Sequence, residues 1–293
     1  MSAGAERGSV FLEPATVLVH DSRGSGQFLL QLQAPRCAAA ATPGSFVHLA
    51  CGPGIPMRRP LSLLRAAAAA GRIELLYRVV GHGLQALTAR RPGEVLSCLG
   101  PIGRGFKPRP ERPRALLIGG GVGIPPLIFL AETLAADRGG NWQPLLLAGS
   151  EVPWPLATRP AALAVAGMPD AATHALTAIE ERGVPNRLAS RAGLPGCHDD
   201  HVTALAAHWL AGLSAAERAI VAIYACGPPL MLRAAASLAR RYDLPCEVSL
   251  EERMACGVGG CAGCAVEVQT AAGPSMQRVC VDGPVFDATT VFG

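Results

Sequence analysis

The chain has 293 residues, half of them hydrophobic, enough for two or three domains with sizeable cores. A net charge of +4 is too mild for a nucleic-acid surface, which needs a clustered basic face. No apolar run reaches the ~18 residues of a membrane span, and the polar stretch Met1–Gly8 lacks the apolar segment of a signal peptide. A cytoplasmic protein without nucleic-acid or membrane partners is expected, its ten cysteines reduced or metal-bound and not disulfide-paired.

Residues 8–107 carry short β-like runs, Gln27–Leu32, Ser45–Leu49 and Ile73–Val80, with turn residues between them at Pro43-Gly44, Gly52-Pro53-Gly54 and Pro92-Gly93. Short strands with frequent turns predict an antiparallel β-barrel or sandwich. Within this segment stands Arg58-Arg59-Pro60-Leu61-Ser62. A guanidinium can hold a phosphate through two hydrogen bonds, and a hydroxyl can bond the edge of a planar ring. On chemistry alone the run is equally a strand end with solvated arginines. The proline-broken basic stretch Lys107–Arg114 reads as a linker.

Residues 113–250 change character. Apolar strands at Ala115–Ile118, Leu145–Ala148, Ile220–Tyr224 and Glu247–Leu250 alternate with helical stretches at Pro126–Ala136, His201–Gly212 and Leu230–Arg241. This alternation predicts a doubly wound parallel sheet, with irregular connections over 151–200. Two turns follow strands and open helices. The first is Gly119-Gly120-Gly121-Val122-Gly123-Ile124-Pro125-Pro126, in the context a pyrophosphate-binding turn requires. Proline at the start of its helix is well tolerated. The second, Cys226-Gly227-Pro228, ends a strand where open α/β sheets bind ligands. A plain tight turn and a buried strand cysteine are the simpler readings of the two.

Residues 251–292 hold Cys256, Cys261 and Cys264 in a C-x4-C-x2-C run, with Cys280 downstream. This is the plant-type spacing of a 2Fe–2S cluster. A structural zinc site takes two C-x2-C knuckles, and here only one C-x2-C exists, Cys261 to Cys264. Zinc or free thiols are the alternatives. Cys37, Cys51, Cys98, Cys197 and Cys246 read as small apolar residues.

Taken in order, the motifs resemble those of the ferredoxin–NADP⁺ reductase superfamily over nearly the whole chain. Ser249–Gly257 and Val281–Phe286, flanking the cysteines, are similar to the electron-transfer subunit of NAD-linked dihydroorotate dehydrogenase. The resemblance implies an FAD-binding barrel at 8–107, an NAD-binding α/β domain at 113–250 and a small 2Fe–2S domain at 251–292. It implies that Arg59 holds FAD phosphate, that Pro60, Leu61 and Ser62 line the flavin ring, that Leu76, Tyr77 and Arg78 lie along it, and that Gly83 and Leu84 support the pyrophosphate. Family members often carry threonine where Leu84 stands. Gly119, Gly120, Gly121 and Gly123 would hold the nicotinamide nucleotide with Cys226, Gly227 and Pro228, and Ser62 and Cys226 would flank hydride transfer.

The implied activity is an oxidoreductase passing electrons between NAD(H), FAD and the cluster. The implied partner is a flavin-containing dihydroorotate dehydrogenase catalytic subunit, joined in a hetero-oligomer of pyrimidine biosynthesis. Close relatives carry an acidic run where this chain has Ala189-Ser190-Arg191-Ala192-Gly193, so NADP(H) stays open beside NAD(H). The competing readings are a reductase subunit of the same build serving a ferredoxin, a hydrogenase or another acceptor, and a redox-sensing module without turnover.

Overall fold

The computed structural model describes residues 10–293; the polar stretch Met1–Gly8 lies outside the described residues. Two compact units emerge, one formed by the chain up to Gly105 with Glu251–Val285, the other by Phe106–Leu250 with Phe286–Gly293.

In the first unit, β1 (Phe11–Ser22), β2 (Gln27–Gln33), β3 (Phe46–Leu49), β4 (Arg59–Ala67), β5 (Arg72–Arg78) and β6 (Val95–Ile102) close an antiparallel barrel in the order β1-β2-β5-β4-β3-β6. Alternation drives it. Leu30 and Leu32 on β2 and Ile73 and Leu75 on β5 are fully buried, while residues between them reach the surface. A short helix, α1 (Pro35–Ala40), follows β2, and its first amides are satisfied by a buried acid. The Glu13 carboxylate accepts from Arg36 N at 3.2 Å and from Cys37 N at 2.7 Å. The alanine run forms a single 3-10 turn, Ala68–Ala70, between β4 and β5. A second helix, α2 (Gly81–Leu87), follows β5.

The second unit contains β7 (Arg114–Gly120), α3 (Ile124–Ala136), β8 (Leu145–Gly149), β9 (Thr158–Pro160), β10 (His174–Leu176), α4 (Thr177–Glu180), β11 (Asn186–Ala189), α5 (Val202–Gly212), α6 (Ala215–Arg218), β12 (Val221–Cys226), α7 (Pro229–Arg241) and β13 (Cys246–Ser249). Of the strands that the sequence marks as apolar, β12 is buried throughout and β7 and β8 at every residue but one, as expected for a sheet covered on both faces. The sheet order is β11-β8-β7-β12-β13, with parallel pairing along it. The stretch expected to be irregular, 151–200, instead holds the antiparallel β9–β10 ribbon. Buried Glu180 anchors the ribbon by accepting from Ala162 N at 2.9 Å and Leu163 N at 2.8 Å.

Lys107–Arg114 is stitched to this unit and does not run free. Lys107 N donates to Glu247 at 2.9 Å, Arg109 N to the Tyr224 hydroxyl at 3.1 Å, and Arg112 to the Val221 carbonyl at 3.2 Å.

The cysteine segment belongs with the barrel as one compact body. Its regular part is a hairpin, β14 (Ala265–Thr270) with β15 (Gly273–Arg278). Beyond it, β16 (Val285–Asp287) adds to the six-stranded sheet beside β13, and α8 (Ala288–Phe292) follows. Among the described residues no helix is long and apolar enough to cross a membrane.

Candidate functional site: two nucleotide cradles and a cysteine loop

The first cradle is built on the barrel. Arg58 and Arg59 stand side by side but do different things. The Arg58 guanidinium donates to the Ser97 carbonyl at 2.6 Å and to its hydroxyl at 2.9 Å, which fixes it against β6. Arg59 donates to the main-chain carbonyls of Met57 at 2.8 Å and Arg58 at 3.1 Å, and its guanidinium lies across Gly83. A Cβ built on Gly83 would stand 2.4 Å from Arg59 Nε, so any other residue would expel the arginine. The arrangement puts a forked cation over the first turn of α2, a fit for a phosphate group.

Along β4, Pro60 and Ser62 are half-buried, Leu61 is buried, and Ser62 pairs with Phe46. Leu76 and Tyr77 are buried, while Arg78 is exposed at the end of β5. Tyr77 stacks on Phe28 at 5.6 Å between centroids, and its hydroxyl shares a 2.8 Å hydrogen bond with His20. Leu84 is half-buried and offers no hydroxyl.

The second cradle sits at the carboxyl ends of β7 and β12, neighbours in the sheet with Gly119 opposite Cys226. Here the chain order of the strands reverses direction, the place where such sheets bind ligands. The two turns expected from the sequence meet main chain to main chain. A Cβ on Gly123 would fall 2.3 Å from the Cys226 carbonyl oxygen and 2.5 Å from Gly227 N. Gly120 is closed off likewise by Met231 and Pro228, and Gly119 by Ile124. Gly121 and Val122 are exposed at the lip, and Cys226 is 1% exposed at the end of its strand. Pro125 and Pro126 open α3, and Pro228 and Pro229 start α7, so few first-turn amides are free there; the exposed Gly121-Val122 lip is the open main chain that an anionic nucleotide can approach.

On the same edge, at the ends of β8 and β11, Glu151 accepts from Arg191 N at 3.3 Å. Ser190 is buried, and its hydroxyl accepts from Ala192 N at 3.1 Å. The Arg191 guanidinium donates to His201 Nε2 at 3.2 Å. Glu151 escapes sequence reading because it stands alone after a strand with no motif around it.

The cysteines lie in the first unit. Cys264 and Cys280 are buried with their sulfurs 3.4 Å apart. Cys256 is half-buried, Cys261 is exposed, and the two side chains hydrogen-bond one another. Among the described residues no three ligand side chains converge on one point. The four sulfurs form two pairs, which suits a binuclear cluster with two thiolates per metal better than one tetrahedral zinc.

Burial raises the Cys256 thiol. The amides of Val258, Cys261 and Gly260 and the Cys261 side chain outweigh that and bring it down to about 7. Donors aimed at sulfur favour the thiolate, the form that binds metal. Cys280 is pushed up to about 12, by burial first and then by its bond with Cys264. Arg278 holds the loop in place, donating to the Gly259 carbonyl at 3.1 Å while its own amide donates to Asp282 at 2.9 Å. None of Cys37, Cys51, Cys98, Cys197 and Cys246 forms a disulfide, and all five are buried, as read.

Residues 251–292 match the family described as the iron-sulfur cluster binding domain of dihydroorotate dehydrogenase B. Most of the chain is similar to the dihydroorotate dehydrogenase B (NAD(+)) electron transfer subunit of Desulforamulus reducens, 30% identical over 266 residues, covering 90% of this chain and 92% of the relative. The chain belongs to the family of dihydroorotate dehydrogenase B electron transfer subunits. The subunit of Bacillus caldolyticus is 35% identical over 254 residues, 85% of this chain and 86% of that one. Among solved structures, an NADH-dependent reduced ferredoxin-NADP oxidoreductase aligns with a TM-score of 0.74 at 22% identity, covering 99% of this chain and 91% of the other. A ferredoxin reductase of carbazole 1,9a-dioxygenase gives 0.62 at 20% identity, covering 80% and 67%. These two share the fold with this family member.

Proposed function

We propose that this electron transfer subunit passes electrons between NAD(H), FAD and a 2Fe–2S cluster, to or from a dihydroorotate dehydrogenase catalytic subunit with which it forms a hetero-oligomer in the cytoplasm. The observation that carries the reading is the pairing of Cys256 with Cys261 and of Cys264 with Cys280 in the body that also holds the Arg59–Gly83 cradle. The proposed division is an FAD-binding barrel at 8–107, a nucleotide-binding domain at 113–250 and a cluster segment at 251–292.

In the mechanism, Arg59 binds the FAD phosphates across Gly83, while Pro60, Leu61 and Ser62 line the ring and the Ser62 hydroxyl bonds its edge. Leu76, Tyr77 and Arg78 border the flavin. His20 and Phe28 fix the Tyr77 ring, so this part of the wall is rigid before anything binds. The backbone amides of Gly119–Gly123 and of Gly227 receive the nicotinamide nucleotide, with Pro228 closing the turn. Cys226, at the end of β12, orients the reacting end and excludes water. When bound, the flavin supplies the exchange between a two-electron hydride donor and a one-electron cluster. The four cysteines ligate that cluster.

Glu151 favours NAD(H) over NADP(H): a carboxylate accepts from a ribose hydroxyl and repels a 2′-phosphate. Ser190, buried with its hydroxyl engaged, is poorly placed to hold that phosphate.

Anaerobic visible and EPR spectra of the purified chain before and after NADH test the reading. Bleaching of a flavin band followed by a reduced-cluster signal is expected. A colourless protein, or one containing zinc without acid-labile sulfide, would sink it. Orotate reduction by NADH in the presence of a catalytic subunit tests the partner.

A further inference from the structure

His48 is a feature of the barrel that apolar packing does not explain. It lies on β3 in the run Phe46-Val47-His48-Leu49, where every residue is buried, and is itself 0% exposed. Both ring nitrogens are buried, and neither makes a hydrogen bond of good geometry. Buried polar atoms are almost always bonded, so an orphaned pair calls for a reason. An apolar side chain at this position would fill a barrel core at no such cost.

The surroundings supply the reason. On one side His48 pairs in register with Pro60, in the centre of the Arg59–Ser62 run on β4. On the other it meets the cysteine loop. A Cβ built on Gly257 would lie 2.8 Å from His48 Nδ1 and 3.3 Å from the Ile102 side chain. Gly257 also has φ +70, a left-handed conformation that a side chain would strain. The glycine after the first cysteine ligand is therefore fitted to the imidazole. The backbones of Cys256 and Arg58, one from each motif, are in hydrogen-bonding reach of the ring. All these contacts lie within one compact body.

We propose that His48 is a positioning residue for the cluster. Its Nδ1–H is donated to the backbone of the loop at Cys256–Gly257, holding the first cysteine that would ligate the cluster against the flavin-binding strand. Partners that orient ligands set both their geometry and the electronics of the metal. His48 gains and loses nothing in turnover: one electron leaves the flavin, one enters the cluster, and the imidazole stays neutral. The inference rests on the cluster reading above.

The test uses the full chain, purified anaerobically, as wild type and as His48→Phe, His48→Asn and His48→Gln. Asparagine places an amide nitrogen near the position of Nδ1; glutamine places it near Nε2. Iron, acid-labile sulfide and flavin are counted first, then the EPR spectrum and midpoint potential of the cluster are recorded. In His48→Phe the g-values are expected to shift and the potential to fall, because a donor near the ligand has gone. Appearance of the reduced-cluster signal after NADH should slow about tenfold. Asparagine should restore the wild-type spectrum and glutamine should not.

Wild-type g-values and potential in His48→Phe would overturn the proposal. If that variant fails to fold, the two amides decide, and equal spectra and potentials for them would overturn it. A wild-type chain lacking iron and sulfide would instead overturn the cluster reading.

Discussion

The two cradles proposed to hold nucleotides in this subunit are made differently. In the barrel, a side-chain cation, Arg59, is laid over a glycine. In the α/β unit, two glycine turns touch main chain to main chain, and no cationic side chain is laid across them. A guanidinium makes charge-assisted, paired bonds to phosphate and suits a group that stays bound. A glycine turn offers close backbone approach without a fixed charge and suits a co-substrate that must leave after each turnover. The contrast matches one resident flavin and one exchanging nucleotide.

The contrast can be broken in graded steps. Cys264→Ser removes a buried ligand, and complete loss of iron, sulfide and the EPR signal is expected with flavin retained. Retained cluster would show that the flavin body and the loop do not depend on this ligand.

Gly123→Ala comes next. Its methyl would collide with the Cys226 carbonyl, which is backbone and cannot step aside. NADH-driven flavin bleaching in stopped flow should slow by about 100-fold, in line with the cost of misplacing a bound reactant. Flavin content should hold.

Arg59→Ala should do the reverse. A lost charge-assisted bond of ~1.5–3 kcal/mol corresponds to roughly 10- to 100-fold weaker FAD binding, measured by flavin release on dilution. Lysine should recover part of it, since it keeps the charge without the fork.

The smallest effect is expected at Glu151. Glu151→Gln should lower the preference for NADH over NADPH by about tenfold, read as the ratio of kcat/KM values, with flavin and cluster untouched.

Strands with continuous apolar character, such as Ala115–Ile118 and Ile220–Tyr224, were legible because burial on both faces leaves no polar alternation to misread. The cysteine spacing was legible because ligand geometry is local. The β9–β10 ribbon was not, since its three-residue strands owe their place to a distant carboxylate, Glu180, which no local pattern announces. The same holds at Lys107–Arg114, where proline punctuation marks a linker but Glu247 and Tyr224 bind its amides. His48 hides for the opposite reason: inside an apolar run it looks like ordinary core, and its closeness to Cys256 and Gly257 appears only in the folded chain. Arg58 and Arg59 are indistinguishable in sequence, and Ser97 is what separates them.

The course of the chain after the cysteines has a practical consequence. Having left the α/β unit at Leu250, it returns there at Phe286, where β16 joins the sheet edge and α8 docks. Arg240 donates to the Phe292 carbonyl, and the Arg233 guanidinium lies 5.1 Å over the Phe292 ring. The cysteine segment is thus an insertion and not an appendage. It cannot be clipped off by one cut or exchanged by one splice. An engineer wishing to rewire the outlet of this subunit must graft between two fixed ends, at 250 and 286, and keep the final eight residues as the clasp.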